Sequence, residues 1–203
     1  AYTVVAQAIV PEVTARTAPD VGAAPVAVLA NPISSGAPLV FRSVDSPVDD
    51  PEWIEVQLPI EPNGTTGWIL RDEVALFDNP YRIEIDRAAY SLKVFQRNEL
   101  WMETVIAVGN GATPTPVGEF YLLELLAPPE PDGPYGPYAF GLSGFSEVLT
   151  SFGGADVAII GIHGTNDPSS LGTEVSHGCI RLENAVIEQL ASTLPLGTPV
   201  SIT

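Results

Sequence analysis

The chain is poor in the residues that most often carry chemistry at neutral pH. Its 203 residues include one cysteine, two histidines, one methionine and a single lysine, Lys93. One cysteine excludes an internal disulfide, so cysteine usage leaves the redox compartment open. Eight basic residues against 25 acidic ones give a net charge of −17. That excludes sequence-independent binding of nucleic acid, which depends on neutralising phosphates with basic side chains. No apolar run approaches the roughly 20 residues a membrane-spanning helix needs. The first residues, AYTVVAQAIV, lack the basic start of a secretory signal, which leaves room for a signal or anchor segment removed ahead of residue 1. What is present is a 45% hydrophobic content, enough for the core of one large or two small domains. The acidic surface favours the approach of cationic or amine-bearing ligands.

Along residues 1–78 the pattern is short, often alternating apolar runs between turn residues: TVVAQAIV, APVAVLANP, APLVFRSV, WIEVQLPI and PNGTTGWIL. This predicts a small all-β unit, interrupted by a surface loop at DSPVDDPE and ending near DNP at 78–80. Residues 79–203 open with three more alternating runs, YRIEID, SLKVFQ and WMETVIAV, with QRNEL as the turn between the last two. GNGATPTPVG reads as a turn-rich connector before EFYLLELL, and APPEPDGPYGPYAFG as a long loop carrying aromatics. DVAIIGI is a buried-strand candidate and GTPVSIT a closing strand; ENAVIEQLAST predicts a helix with Ala185, Val186, Gln189 and Leu190 on one face.

The lone cysteine and both histidines fall in one short window, IIGIHGTNDPSSLGTEVSHGCIR. A thiol with a free pKa of about 8.5 becomes a better nucleophile beside a base that takes its proton, and histidine fits that role near neutrality. His163 ends an apolar strand and Cys179 follows a glycine-containing turn, so a sheet can bring them together. The glycine in SHGC permits a tight turn that aims successive N–H groups at one point, where an oxyanion could sit. Arg181, two residues on, projects from the same face as Cys179 if the segment is extended, and suits a substrate carboxylate. Other readings of the same residues stay open. Cys179 could be a small buried hydrophobe, His177 a residue that only holds the turn, and Arg181 a structural ion-pair partner. Two histidines and one cysteine could also hold zinc, although their spacing matches no common zinc motif.

IHGTNDPSSLGTEVSHGCIRLENA resembles the signature of the L,D-transpeptidase catalytic domain, the YkuD-like family. The resemblance extends through TPTPVGEF and YAFGLSGFS back to YRIEID. It implies a β-sandwich-like fold with one or two helices, Cys179 as nucleophile, His163 as base, and the carbonyl of Gly164 orienting the imidazole. Backbone N–H groups of His177, Gly178 and Cys179 would form the oxyanion hole. Ser176, His177 and Arg181 would support the site or bind the donor, and Tyr135, Tyr138 and Phe140 of the long loop could line a pocket beneath a lid. Many members carry serine where this chain has Gly164, a change to which a carbonyl is indifferent.

The implied substrates are peptidoglycan stem peptides, donor and acceptor. No cofactor or metal is implied, and carbapenems are implied as covalent ligands. Carboxypeptidase activity, attachment of a protein to the wall, and non-catalytic wall binding remain alternatives within the same fold. Residues 1–78 resemble a bacterial Src-homology-3-like barrel through VTARTAPD, WIEVQL and GWILRDEV, with Phe41, Trp53 and Trp68 as its notable aromatics. The expectation is a mainly β, two-domain, exported bacterial enzyme of the periplasm or cell wall, with a membrane anchor outside this sequence compatible with it.

Overall fold

The computed structural model describes residues 2–44, 50, 52–150 and 158–203. Within them, residues 3–79 supply seven strands: β1 (Thr3–Ala8), β2 (Glu12–Arg16), β3 (Pro25–Ala30), β4 (Val40–Ser43), β5 (Trp53–Gln57), β6 (Thr66–Leu70) and β7 (Val74–Asn79). They pair in the order β3-β2-β6-β5-β4-β1-β7. Alternation builds this sheet. In β2, Val13 and Ala15 face a core shared with Phe41, Ile54, Val56 and Ile69, while the residues between them face outward. Phe41 and Trp53 are buried and Trp68 is half-buried, so the first two serve packing. The segments EVTAR and VALFDN, not recognised as strands from sequence, are β2 and β7. The tract DSPVDDPE lies largely outside the described residues.

The rest of the chain forms β8 (Tyr81–Asp86), β9 (Ser91–Gln96), β10 (Glu99–Val105), β11 (Val108–Gly109), β12 (Gly118–Leu126), β13 (Ala139–Phe145), β14 (Ile159–His163), β15 (Glu174–Ser176), β16 (Ile180–Arg181), helix α1 (Asn184–Thr193) and β17 (Pro199–Ile202). Eight of these strands make one sheet in the order β10-β9-β8-β17-β12-β13-β14-β16, and β11 pairs with β15. Ile83, Ile85, Leu92 and Val94 from one end of the sheet share a core with Phe140, Ile160, Ile162 and Ile180 from the other. The sheet therefore wraps around its own apolar face, and α1 closes it with Ile187 and Leu190. The helix turns differently from the face expected. Val186, Ile187, Leu190 and Ala191 pack inward, whereas Ala185 and Gln189 are exposed. The fully apolar Ile187 and Leu190 outweigh the weakly apolar alanine in setting the buried stripe.

Strand β12 is a nearly continuous apolar run because both of its faces are covered. Phe120 and Leu122 enter the second core, while Tyr121 and Leu123 meet Val5 and Val40 of the first sheet. Burial holds the Tyr121 phenol neutral, and its hydroxyl donates to the Gln57 carbonyl at 3.3 Å. Polar pairs fix the same contact: Asn63 exchanges two 2.9 Å hydrogen bonds with the backbone of Phe145, and Asn79 Nδ2 donates to Thr198 Oγ1 at 3.0 Å. The two sheets are thus docked through side chains on both sides.

Candidate active site

The site grows from the parallel pairing of β14 with β16, in which Ile162 stands opposite Ile180 and His163 opposite Arg181. Even-numbered residues of both strands enter the core, so Gly161, His163, Cys179 and Arg181 share the other face. His163 thus lies on β14 and Cys179 just ahead of the adjacent β16. Among the described residues no hydrogen bond joins the thiol to the imidazole, which sit diagonally across the pair.

His163 is only 4% exposed. Its Nδ1 lies 2.6 Å from the Gly164 carbonyl, which can only accept, so Nδ1 carries the proton and Nε2 keeps a free lone pair. Burial lowers its pKa to about 4; the Gly164 hydrogen bond opposes that shift and the Arg181 charge adds to it. The imidazole is therefore neutral at neutral pH. Cys179 is half-buried. Desolvation pushes its thiol up, while the Gly161 N–H and the Arg181 guanidinium pull it back. Thiol and imidazole thus rest as a neutral pair, and a nucleophile forms only when the proton moves during attack. Arg181 Nε is buried with no hydrogen-bond partner among the described residues, a donor available to an anionic group.

The SHGC turn is held from beneath. Gly178 has φ +117°, a conformation that favours glycine, and a Cβ there would also press on Ile160 Cδ1 at 2.9 Å. Ser176 is 1% exposed; its hydroxyl donates to the Cys179 carbonyl at 2.5 Å and accepts the Gly178 N–H at 3.1 Å. Ser176 therefore braces the turn. The Gly178 N–H, expected to help form the oxyanion hole, is committed to that serine. His177 is exposed and also engaged in an interaction of its own.

Sequence reasoning passed over the connector GNGATPTPVG, which turns out to cradle this turn. Thr115 Oγ1 donates to the Gly178 carbonyl at 2.8 Å and accepts the Gly109 N–H at 2.9 Å. Asn110 N and Nδ2 both donate to the Ser176 carbonyl, at 3.0 and 3.1 Å. Prolines alternating with threonines were the available signal, since fixed φ angles aim successive hydroxyls. Asn184, first residue of α1, was also missed: its Oδ1 accepts the Thr165 N–H at 2.8 Å and steadies the loop after His163.

The long loop reaches the site at its tip. Tyr135, 39% exposed, sets its ring edge-on to His163 with centroids 5.0 Å apart. Gly136 makes that approach possible: its φ is +65°, and a Cβ would stand 2.6 Å from the Gly164 Cα. Tyr138 is half-buried against the second core, and Phe140 lies inside that core and so lines no pocket. Among the described residues no cluster of three metal-ligating side chains occurs.

Three comparisons bear on this geometry. The L,D-transpeptidase catalytic domain family matches residues 80–202. The putative L,D-transpeptidases YkuD of Bacillus licheniformis and Bacillus subtilis are 42% and 39% identical over 124 and 123 residues. Each match covers 61% of this chain and 66% of the relative, just under two thirds of its length. Among solved structures, the LD transpeptidase LdtMt1 in complex with imipenem superposes with a TM-score of 0.51, covering 81% of this chain and 90% of that one at 14% identity, a likeness of fold.

Proposed function

The chain belongs to the L,D-transpeptidase catalytic domain family, and from that premise we propose that it transfers acyl groups between peptidoglycan stem peptides through Cys179. The observation that carries this reading is the neutral, tautomer-fixed His163 on the same sheet face as the thiol. In the first half-reaction Cys179 Sγ attacks the carbonyl of the diamino acid at the third stem position while His163 Nε2 takes the thiol proton. The oxyanion is met by the N–H groups of Cys179 and His177. Collapse breaks the bond to the terminal D-alanine, whose nitrogen leaves with the proton from His163, and the stem stays on the enzyme as a thioester. In the second half-reaction an amine of a neighbouring stem attacks the thioester, gives its proton to His163 and restores the thiol. Arg181 offers a guanidinium donor to a carboxylate of the bound stem. No step calls for a metal or cofactor.

Residues 1–78 are read as a Src-homology-3-like module docked on a catalytic domain of residues 79–203, and the substrate implies export to the cell wall or periplasm. Incubation with a defined tetrapeptide stem, followed by mass spectrometry, tests the function. The expected products are free D-alanine and a crosslinked dimer. Free tripeptide without dimer would identify water as the acceptor, and unchanged tetrapeptide would overturn the proposal.

A further inference from the structure

Strand β12 carries a carboxyl group where an apolar residue belongs. Leu122 and Leu125 face the second core, and strict alternation would send Glu124 there as well. A register shift against β13 between Leu122 and Glu124 turns the side chain to the opposite face, the one that carries Cys179. Glu124 ends 9% exposed, and among the described residues it makes no hydrogen bond or ion pair. Its oxygens keep contact with solvent where they line a cleft, and offer acceptors to a ligand group there.

The neighbouring strands show where that group would come from. Glu124 is opposite Gly141, and Gly141 is opposite Gly161. A Cβ on Gly141 would stand 2.7 Å from Glu124 Oε1, so the carboxyl lies across that glycine; a Cβ on Gly161 would stand 4.0 Å from Cys179 Sγ. The Glu124 carboxyl thus covers Gly141, and Gly161 puts no side chain between it and the thiol. Directly opposed Cβ positions stand about 5 Å apart, so these contacts bring the carboxyl and the thiol within about 12 Å of each other. Glu124 also lines a cleft of roughly 470 Å³ between the two sheets, walled by Leu29, Ile33, Ile60 and Phe145 and carrying Glu61 as a second acid. Its charge suits a cation and its walls suit methylenes.

We infer that Glu124 is a specificity-determining residue that binds the side-chain ammonium of the donor's third residue, with Gly161 as the floor over which the methylenes pass. The inference rests on the acyl-transfer reading of Cys179. In a diamino acid acylated on that sulfur, six bonds separate the carbonyl carbon from the side-chain nitrogen, a reach of up to about 7 Å. Adding the bond to sulfur and one hydrogen bond spans the gap to Glu124. A lysine-type or diaminopimelate-type side chain fits this ruler, and a shorter diamine leaves the carboxyl unmet.

The test uses two soluble tetrapeptides that differ only at the third position, diaminopimelate in one and 2-aminopimelate, which lacks the side-chain amine, in the other. Release of the terminal D-alanine is followed for the wild-type protein and for Glu124→Gln. The wild-type protein should favour the diamino peptide in kcat/KM by at least about 10-fold, the scale of one buried charge-assisted hydrogen bond. Glu124→Gln should lose that preference by slowing on the diamino peptide alone. Acylation by a carbapenem without a basic side chain should be unchanged in the variant, which shows that the fold and Cys179 are intact. Equal rates on both peptides in the wild-type protein, or an equal loss on both in the variant, would overturn the assignment of Glu124. A wild-type protein that releases D-alanine from neither peptide and takes up no carbapenem would instead overturn the acyl-transfer reading beneath it.

Discussion

The two sheets bury polar groups for different ends. In the first, Gln57 and Asn79 are buried and both reach across to the second sheet, Gln57 Nε2 to the Glu119 carbonyl and Asn79 to Thr198. In the second, Thr113, Thr115, His163 and Ser176 are buried, and their hydrogen bonds converge on the turn before Cys179 or on the loop after His163. Polar burial in one sheet therefore secures docking, while in the other it shapes a reaction centre. Changes in the first sheet and at its interface should lower stability and spare chemistry; changes in the second should do the reverse.

The largest effect is expected at His163. His163→Ala should slow acylation of Cys179 by about 10²- to 10⁴-fold, the usual contribution of a positioned base, with the fold retained. His177→Ala should slow it much less, and the opposite ranking would break the comparison at its centre. The same residue sets a pH signature. Its pKa falls from 6.5 to about 4 on folding, so the unfolded chain takes up a proton in that window before the folded one does. Stability from its neutral burial is present above pH 6.5 and is lost as the pH falls to about 4, by about 3 kcal/mol in all. Urea unfolding at several pH values should show that slope, and His163→Ala should flatten it.

At the interface, Leu123→Ala should cost about 2–4 kcal/mol through the cavity it leaves against Val5 and Val40, measured as a shift in Tm. The acylation rate at 25 °C should stay within about twofold, since trimming an apolar interface side chain moves no donor or acceptor in the site. A collapse of acylation with Leu123→Ala would mean that the two sheets work as one machine. Thr115→Val is the finer probe. It strips the Gly178 carbonyl and the Gly109 N–H of their shared partner, for about 1–3 kcal/mol of stability. Acylation should slow about tenfold as the SHGC turn loosens, which separates this threonine from Leu123 by its effect on rate.

Much of this was legible in the sequence. Alternation located β8, β9 and β10, and the cysteine and histidine window located the site, because both signals are local and periodic. The helix face was misjudged because counting positions treated Ala185 as equal to Ile187, whereas burial follows apolar area. The roles of Thr115 and Asn184 were hidden because each contacts the site across a large separation in sequence, such as the 63 residues from Thr115 to Gly178. Glu124 was hidden for another reason. In EFYLLELL it reads as an ordinary strand residue, and only the bulge in its pairing shows which face it takes.

The most direct measurement is the mass of the intact protein after exposure to a carbapenem. An activated thiol should open the strained ring and keep the acyl group as a thioester, so the chain should gain the mass of one drug molecule on the peptide containing Cys179. Cys179→Ser should gain little, because an alcohol is much harder to deprotonate than a thiol. Folded wild-type protein that carries no adduct after long exposure to excess carbapenem would contradict the assignment of Cys179 as the nucleophile.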